Sequence, residues 1–117
     1  MPAFEPGDIV RAPFPYTDRD TVQHRPALVV SSTGLGPKDA LCWVVMITSA
    51  ENRPWVDDVA LGDAYAASGL PAPSVVRPAK IATLDAGRLT LLGRLPDEVM
   101  TQVIRVIARY VGTETDL

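Results

Sequence analysis

Leu41-Cys42-Trp43-Val44-Val45-Met46-Ile47-Thr48-Ser49 is the stretch on which the architecture turns. Strand alternation puts Cys42, Val44, Met46 and Thr48 on one face and Leu41, Trp43, Val45 and Ile47 on the other, and both sets are apolar. A strand of this kind has to be covered on both sides. A small barrel has a single interior, so the second face is left for a flanking helix or for another subunit. A homodimer is therefore expected, with coverage by the C-terminal helix alone as the alternative.

Toward the N-terminus, Ala27-Leu28-Val29-Val30-Ser31-Ser32 reads as a second strand, entered through Arg25-Pro26 and closed by a turn at Gly34, Gly36 and Pro37. Tyr16 to His24 is polar with few apolar anchors and reads as a loop. Ile9-Val10-Arg11-Ala12 reads as the first strand. It is expected to stop at Pro13-Phe14-Pro15, because prolines cannot donate to a central ladder. Toward the C-terminus, Trp55 to Leu61 reads as an edge strand broken by Asp57-Asp58, and Ala64 to Pro73 as a second long loop. Ser74-Val75-Val76-Arg77 and Ile81-Ala82-Thr83-Leu84 read as one strand interrupted near Pro78, with Arg88 to Leu95 as the last strand.

The ending is helical. Val99, Met100, Val103, Ile104, Ile107 and Val111 recur at three- and four-residue spacing and form a stripe that faces a core. Asp97 and Glu98 lie in the first turn, Arg105 and Arg109 lie late, Pro96 suits the start and Gly112 the stop. Short strands followed by one helix give a mainly β (α+β) class, a small antiparallel β-barrel with a C-terminal α-helix, as one domain over residues 1–117.

Composition narrows the function. At 117 residues, 47% hydrophobic and 21% charged, the chain fits one ordinary globular core. Cys42 is the only cysteine, which rules out an intrachain disulfide and suits a reducing compartment. No segment approaches the ~20 apolar residues of a membrane span, and Met1-Pro2-Ala3-Phe4-Glu5-Pro6 carries neither a basic start nor an apolar stretch of signal length, so a cytoplasmic protein is expected. A net charge of −3 argues against holding nucleic acid by bulk positive potential, and any RNA contact has to be local. One cysteine and one histidine cannot make a zinc site between them, and neither a phosphate-binding glycine loop nor a Gly-x-Ser-x-Gly nucleophile is present. Asp18-x-Asp20 and Asp57-Asp58 are pairs of carboxylates that read as solvated charge rather than metal ligands.

Six short elements in order carry a resemblance. Gly7-Asp8-Ile9-Val10, Pro13-Phe14-Pro15-Tyr16-Thr17-Asp18 and Arg25-Pro26-Ala27-Leu28-Val29-Val30-Ser31 are followed by Ile47-Thr48-Ser49, Ser74-Val75-Val76-Arg77 and Leu92-Gly93-Arg94-Leu95. Together they resemble the PemK/MazF toxins of type II toxin–antitoxin systems, over Gly7 to about Val111. The resemblance implies an SH3-like barrel that dimerises, cleaves single-stranded RNA sequence-specifically without metal or cofactor, inhibits translation and growth, and is held inactive by a cognate antitoxin. It also assigns catalysis to Arg25 and Thr48. His24, Arg77 and Lys80 are further candidates for catalysis or RNA binding, and Arg19 and Gln23 for an RNA-binding loop. The chain departs from the family pattern at Ala79, where many relatives carry aspartate, and at Gln23 and His24, where several carry glutamate.

The residue types fit this chemistry. When a ribose 2′-hydroxyl attacks its own phosphate, charge grows on the phosphoryl oxygens, and the forked donors of Arg25 match that charge. A Thr48 hydroxyl holds the linkage in line without itself attacking. A single histidine excludes a two-histidine acid–base pair within one chain. Two other readings share the fold: a catalytically silent nucleic-acid- or protein-binding barrel, and a gyrase-poisoning toxin. The latter is disfavoured because Trp43 and Trp55 lie far from the C-terminus.

Overall fold

A computed structural model of the chain describes residues 4–15, 22–32 and 34–112. The elements run β1 (Asp8–Pro15), β2 (Val22–Val29), β3 (Leu41–Ser49), β4 (Val59–Ala60), β5 (Ser74–Asp85), β6 (Thr90–Arg94) and α1 (Asp97–Tyr110), with short 3-10 turns at Pro37–Asp39, Gly62–Tyr65 and Ala86–Arg88. The strands form one antiparallel sheet in the order β4-β5-β3-β2-β1-β6, curled into a half-barrel with the helix at its end. The mainly β (α+β) expectation holds, although the sheet is open between β4 and β6 rather than closed into a ring. No helix among the described residues is long and apolar enough to cross a membrane.

Both faces of β3 are covered within the chain except at Trp43, which is 46% exposed. Val45 and Ile47 pack with Ile9, Leu28, Val76, Leu95 and Val103 under the helix, joined by Val99, Met100 and Ile107. Cys42 and Val44 pack on the other side with Phe4, Val10, Ala27, Val29, Ala86 and Leu89. Each fully buried Val, Ile or Leu contributes about 1.5–3 kcal/mol by leaving water, so two modest clusters support a sheet only one strand thick. Segment 61–70 reinforces the edge. A Cβ on Gly93 would lie 2.1 Å from the Ser68 carbonyl oxygen, and one on Gly69 would lie 2.3 Å from the Leu92 carbonyl oxygen. The two backbones therefore touch where only glycine permits it.

Four boundaries differ from the sequence reading. β1 does not stop at Ala12 but continues through Pro13 to Pro15. β6 pairs with β1 only over Asp8 to Arg11, so beyond that point β2 alone flanks the strand and the missing proline N–H groups interrupt no second ladder. β2 begins at Val22 rather than after Arg25, which converts Gln23 and His24 from loop to strand, and it ends at Val29. The edge strand expected over Trp55 to Leu61 shrinks to Val59–Ala60, because Trp55 to Asp58 folds into a turn with Asp57 at φ 72. Of the helical stripe, Val103 is buried, whereas Ile104 and Val111 are 40% and 62% exposed, and Val106, outside the stripe, is buried instead. The interruption near Pro78 is present. β5 pairs Arg77 with Met46 and Ile81 with Val45, so Pro78, Ala79 and Lys80 bulge out of an otherwise continuous strand.

Candidate functional site

The site forms where the β2–β3 ladder ends. Its last pairs are Val29 with Val44, Leu28 with Val45 and Ala27 with Met46. The next residue, Pro26, has no N–H to offer, so β2 and β3 part beyond Ala27. Continuing the register by two residues sets Arg25 opposite Thr48, on the same face of the sheet. A cleft of about 180 Å³ opens between the strands, lined by Arg25, Pro26, Ile47, Thr48, Ser49, Asn52, Pro71, Ala72 and Ser74.

The polar groups in the cleft are oriented. Arg25 is half-buried and donates from Nη2 to Gln23 Oε1 at 2.6 Å, two residues along the same face of β2. Thr48 is buried with 7% of its surface exposed, and its Oγ1 accepts from Asn52 Nδ2 at 2.6 Å. With one lone pair of that hydroxyl engaged by an amide donor, the Thr48 proton is available to an acceptor entering the cleft. Asn52 reaches back because the chain turns immediately after β3. The Asn52 N–H donates to the Ser49 carbonyl, the Glu51 N–H to Ser49 Oγ and the Ala50 N–H to the Pro73 carbonyl.

Arg77 stands on the other side of β3, in register with Met46 and diagonal to Thr48, and it does not line the cleft. Its guanidinium is buried. Nε and Nη2 donate to the two Asp58 carboxylate oxygens at 3.1 and 3.0 Å, Nη2 also donates to the Arg53 carbonyl at 2.9 Å, and the group stacks 4.4 Å from the Trp55 ring centre. Burial pushes the Asp58 carboxyl upward, but the hydrogen bond from Arg77, one from the Trp55 N–H and the charge of the guanidinium outweigh it. The group is held below its ordinary value. Asp58 is thus a buried ion-pair partner and not the solvated charge expected from sequence. Asp57 accepts from Arg109 at 3.2 Å and from the Tyr110 hydroxyl at 3.1 Å, which ties the same turn to the end of α1.

The remaining candidates are more dispersed. His24 is exposed, pairs with Pro13, and by alternation turns to the face opposite Arg25 and outside the cleft lining. Lys80 is exposed in the β5 bulge, 5.9 Å from the Trp55 ring centre. Arg19 lies outside the described residues. Cys42 is buried, and burial first, then the charge of Asp85, raises its thiol above the ordinary value, which marks it as an inert core residue. Asn52 was missed by sequence reading. The available signal was an amide placed four residues after Thr48 in a turn, and it becomes specific only once the turn geometry is known.

Comparison with known proteins places this geometry in context. The solved structures similar to the chain include MazF from Deinococcus radiodurans at 22% identity, covering 96% of this chain and 99% of that one with a TM-score of 0.71. They also include the MazE–MazF complex of the same organism at 22% identity, covering 97% and 100% with a TM-score of 0.76. A mycobacterial endoribonuclease in complex with its cognate antitoxin is 23% identical, covering 97% and 100% with a TM-score of 0.74. Among curated proteins none matches the chain. The family model described as PemK-like, MazF-like toxin of type II toxin-antitoxin system matches residues 5–111. Matched over nearly its whole length, the chain belongs to this family of type II toxins.

Proposed function

We propose that the chain is an endoribonuclease that cleaves single-stranded RNA by a metal-independent route, with Arg25 and Thr48 as its catalytic residues. The observation that carries this reading is that the two side chains, brought together only by the β2–β3 register, line one cleft wide enough for a phosphodiester. In it the ribose 2′-hydroxyl attacks the adjacent phosphorus and the bond to the 5′-oxygen breaks, leaving a cyclic phosphate and a 5′-hydroxyl. Arg25 faces the charge that builds on the phosphoryl oxygens, and Gln23 holds its guanidinium. Thr48 donates to a non-bridging oxygen, with Asn52 fixing the hydroxyl's direction. His24, on β2, and Lys80, in the β5 bulge, serve the incoming strand rather than the reacting phosphate, as does Arg19.

The toxin acts in the cytoplasm as a homodimer restrained by a cognate antitoxin. The mycobacterial neighbour with its antitoxin supports the antitoxin reading, and the apolar side chains left on the surface, Trp43 at 46%, Ile81 at 50% and Val111 at 62% exposed around one shallow cleft, support a dimer.

The test is incubation of the purified protein with a long single-stranded RNA in EDTA. Discrete fragments that are lost in Arg25→Ala are expected. RNA that stays intact but bound identifies the silent binding barrel instead, and fragments that require added divalent metal overturn the metal-independent route.

A further inference from the structure

We infer that Arg77 is a positioning residue for cleavage, acting on Thr48 through the turn that carries Asn52; the inference rests on the nuclease reading above. Three groups of one short segment converge on this guanidinium: the Arg53 carbonyl, the Trp55 ring and the Asp58 carboxylate. Arg53 directly follows Asn52, the residue whose amide donates to Thr48 Oγ1. The near end of the turn is pinned by backbone bonds to Ser49 and Pro73. Between that end and β4 at Val59, Arg109 and Tyr110 hold Asp57, and Arg77 supplies the anchorage nearest to residue 52, at the Arg53 carbonyl.

The geometry explains why an arginine stands there. Extending the β4–β5 register by one residue sets Asp58 opposite Arg77, so the carboxylate is met in the bidentate geometry that a guanidinium matches and an ammonium does not. The bulge at Pro78 to Lys80 begins immediately after Arg77 and interrupts the pairing with β3, which resumes at Ile81. With Nε and Nη2 committed to the turn, the guanidinium over the Trp55 ring and the side chain buried, Arg77 touches no incoming phosphate. It acts on the reacting atoms only through the Arg53 backbone, Asn52 and the Thr48 hydroxyl.

Three variants test this. Arg77→Lys keeps the charge but loses the fork. Arg77→Met with Asp58→Leu removes both charges together, so that a folded protein is obtained without a buried unpaired carboxylate. Asn52→Ala removes the amide at the end of the chain of contacts. Single-turnover cleavage of a defined single-stranded RNA and binding of its 2′-O-methyl analogue are measured for each. The chemical step is expected to fall up to about tenfold in Arg77→Met/Asp58→Leu, no more than in Asn52→Ala, with Arg77→Lys between it and wild type and analogue affinity changed less than about threefold. Adding Asn52→Ala to the Arg77 variants should produce little further loss, because both act along one route.

A second readout does not depend on nuclease activity. The Asn52 side-chain amide protons, followed by NMR, should be shifted and slowed in exchange by the bond to Thr48 in wild type and revert in the Arg77 variants while core methyl signals stay in place. Additive losses, an unchanged Asn52 signal, or a loss confined to RNA affinity overturns the positioning role. If wild type cleaves no RNA but the Asn52 signal reverts, the nuclease reading fails and the structural link stands.

Discussion

Arg25 and Arg77 flank the same strand, and their surroundings differ in kind. Arg25 borders an open cleft and is steadied by the neutral amide of Gln23, whereas Arg77 is buried with its fork closed on the Asp58 carboxylate. A guanidinium bonded bidentately to a buried carboxylate is committed to the fold, while one at the wall of an open cleft stands where a phosphate can reach it. The difference follows from the two ladders. The β2–β3 ladder ends at Pro26 and lets the strands part, and the β4–β5 register runs on to seat Asp58 against Arg77.

The sharpest way to break this contrast is to truncate each arginine. Arg25→Ala should lower single-turnover RNA cleavage about 10³-fold, the scale for losing a principal donor to transition-state charge. Its urea midpoint should hardly move, since the side chain is half exposed. Arg77→Met alone should act mainly on stability, with a far smaller loss of cleavage than Arg25→Ala. By leaving Asp58 buried and unpaired it should cost about 3–5 kcal/mol in urea unfolding. If Arg25→Ala unfolds the protein, or Arg77→Met leaves it as stable as wild type, the assignment of the two arginines is reversed.

Smaller effects refine the contrast. Thr48→Val keeps the β-branched shape and removes the hydroxyl, so cleavage should drop about 10- to 100-fold, with Thr48→Ser recovering most of it. Removing the donor that orients that hydroxyl, in Asn52→Ala, should cost about tenfold in cleavage and under about 0.5 kcal/mol in stability, because Asn52 is exposed. The acid limb of stability gives the smallest signal. Asp58 is held below its ordinary value when folded, so its contribution is complete above the unfolded value near ~3.9 and is lost as pH falls through the folded one. Thermal melts between pH 5 and 3 should therefore fall more steeply for wild type than for Asp58→Asn.

Much of this fold is legible in the sequence because periodicity reports burial. The two apolar faces of Leu41–Ser49 announce two packed sides, and the stripe from Val99 to Ile107 announces the helix that covers one of them. The proline rule misled at Pro13 and Pro15. It holds for a strand flanked on both sides, and whether β1 is flanked beyond Arg11 depends on where β6 ends, which no local pattern encodes. Arg25 and Thr48 are legible through family resemblance, yet their proximity is a property of register. Asp57-Asp58 looks like solvated charge in the sequence because the partners that desolvate it, Arg77, Arg109 and Tyr110, are remote along the chain. Asn52 is invisible for a related reason, since its amide has meaning only once the turn after Ser49 is folded.

The most direct measurement is a crystal structure of the protein with a single-stranded RNA whose cleavage-site ribose carries a 2′-O-methyl group and whose adjacent phosphate carries one sulfur. The anomalous signal of that sulfur locates the phosphate. It is expected within hydrogen-bonding reach of both the Arg25 guanidinium and Thr48 Oγ1, with Arg77 still closed on Asp58. A phosphate bound elsewhere, with the Arg25–Thr48 cleft empty of RNA, would contradict the account.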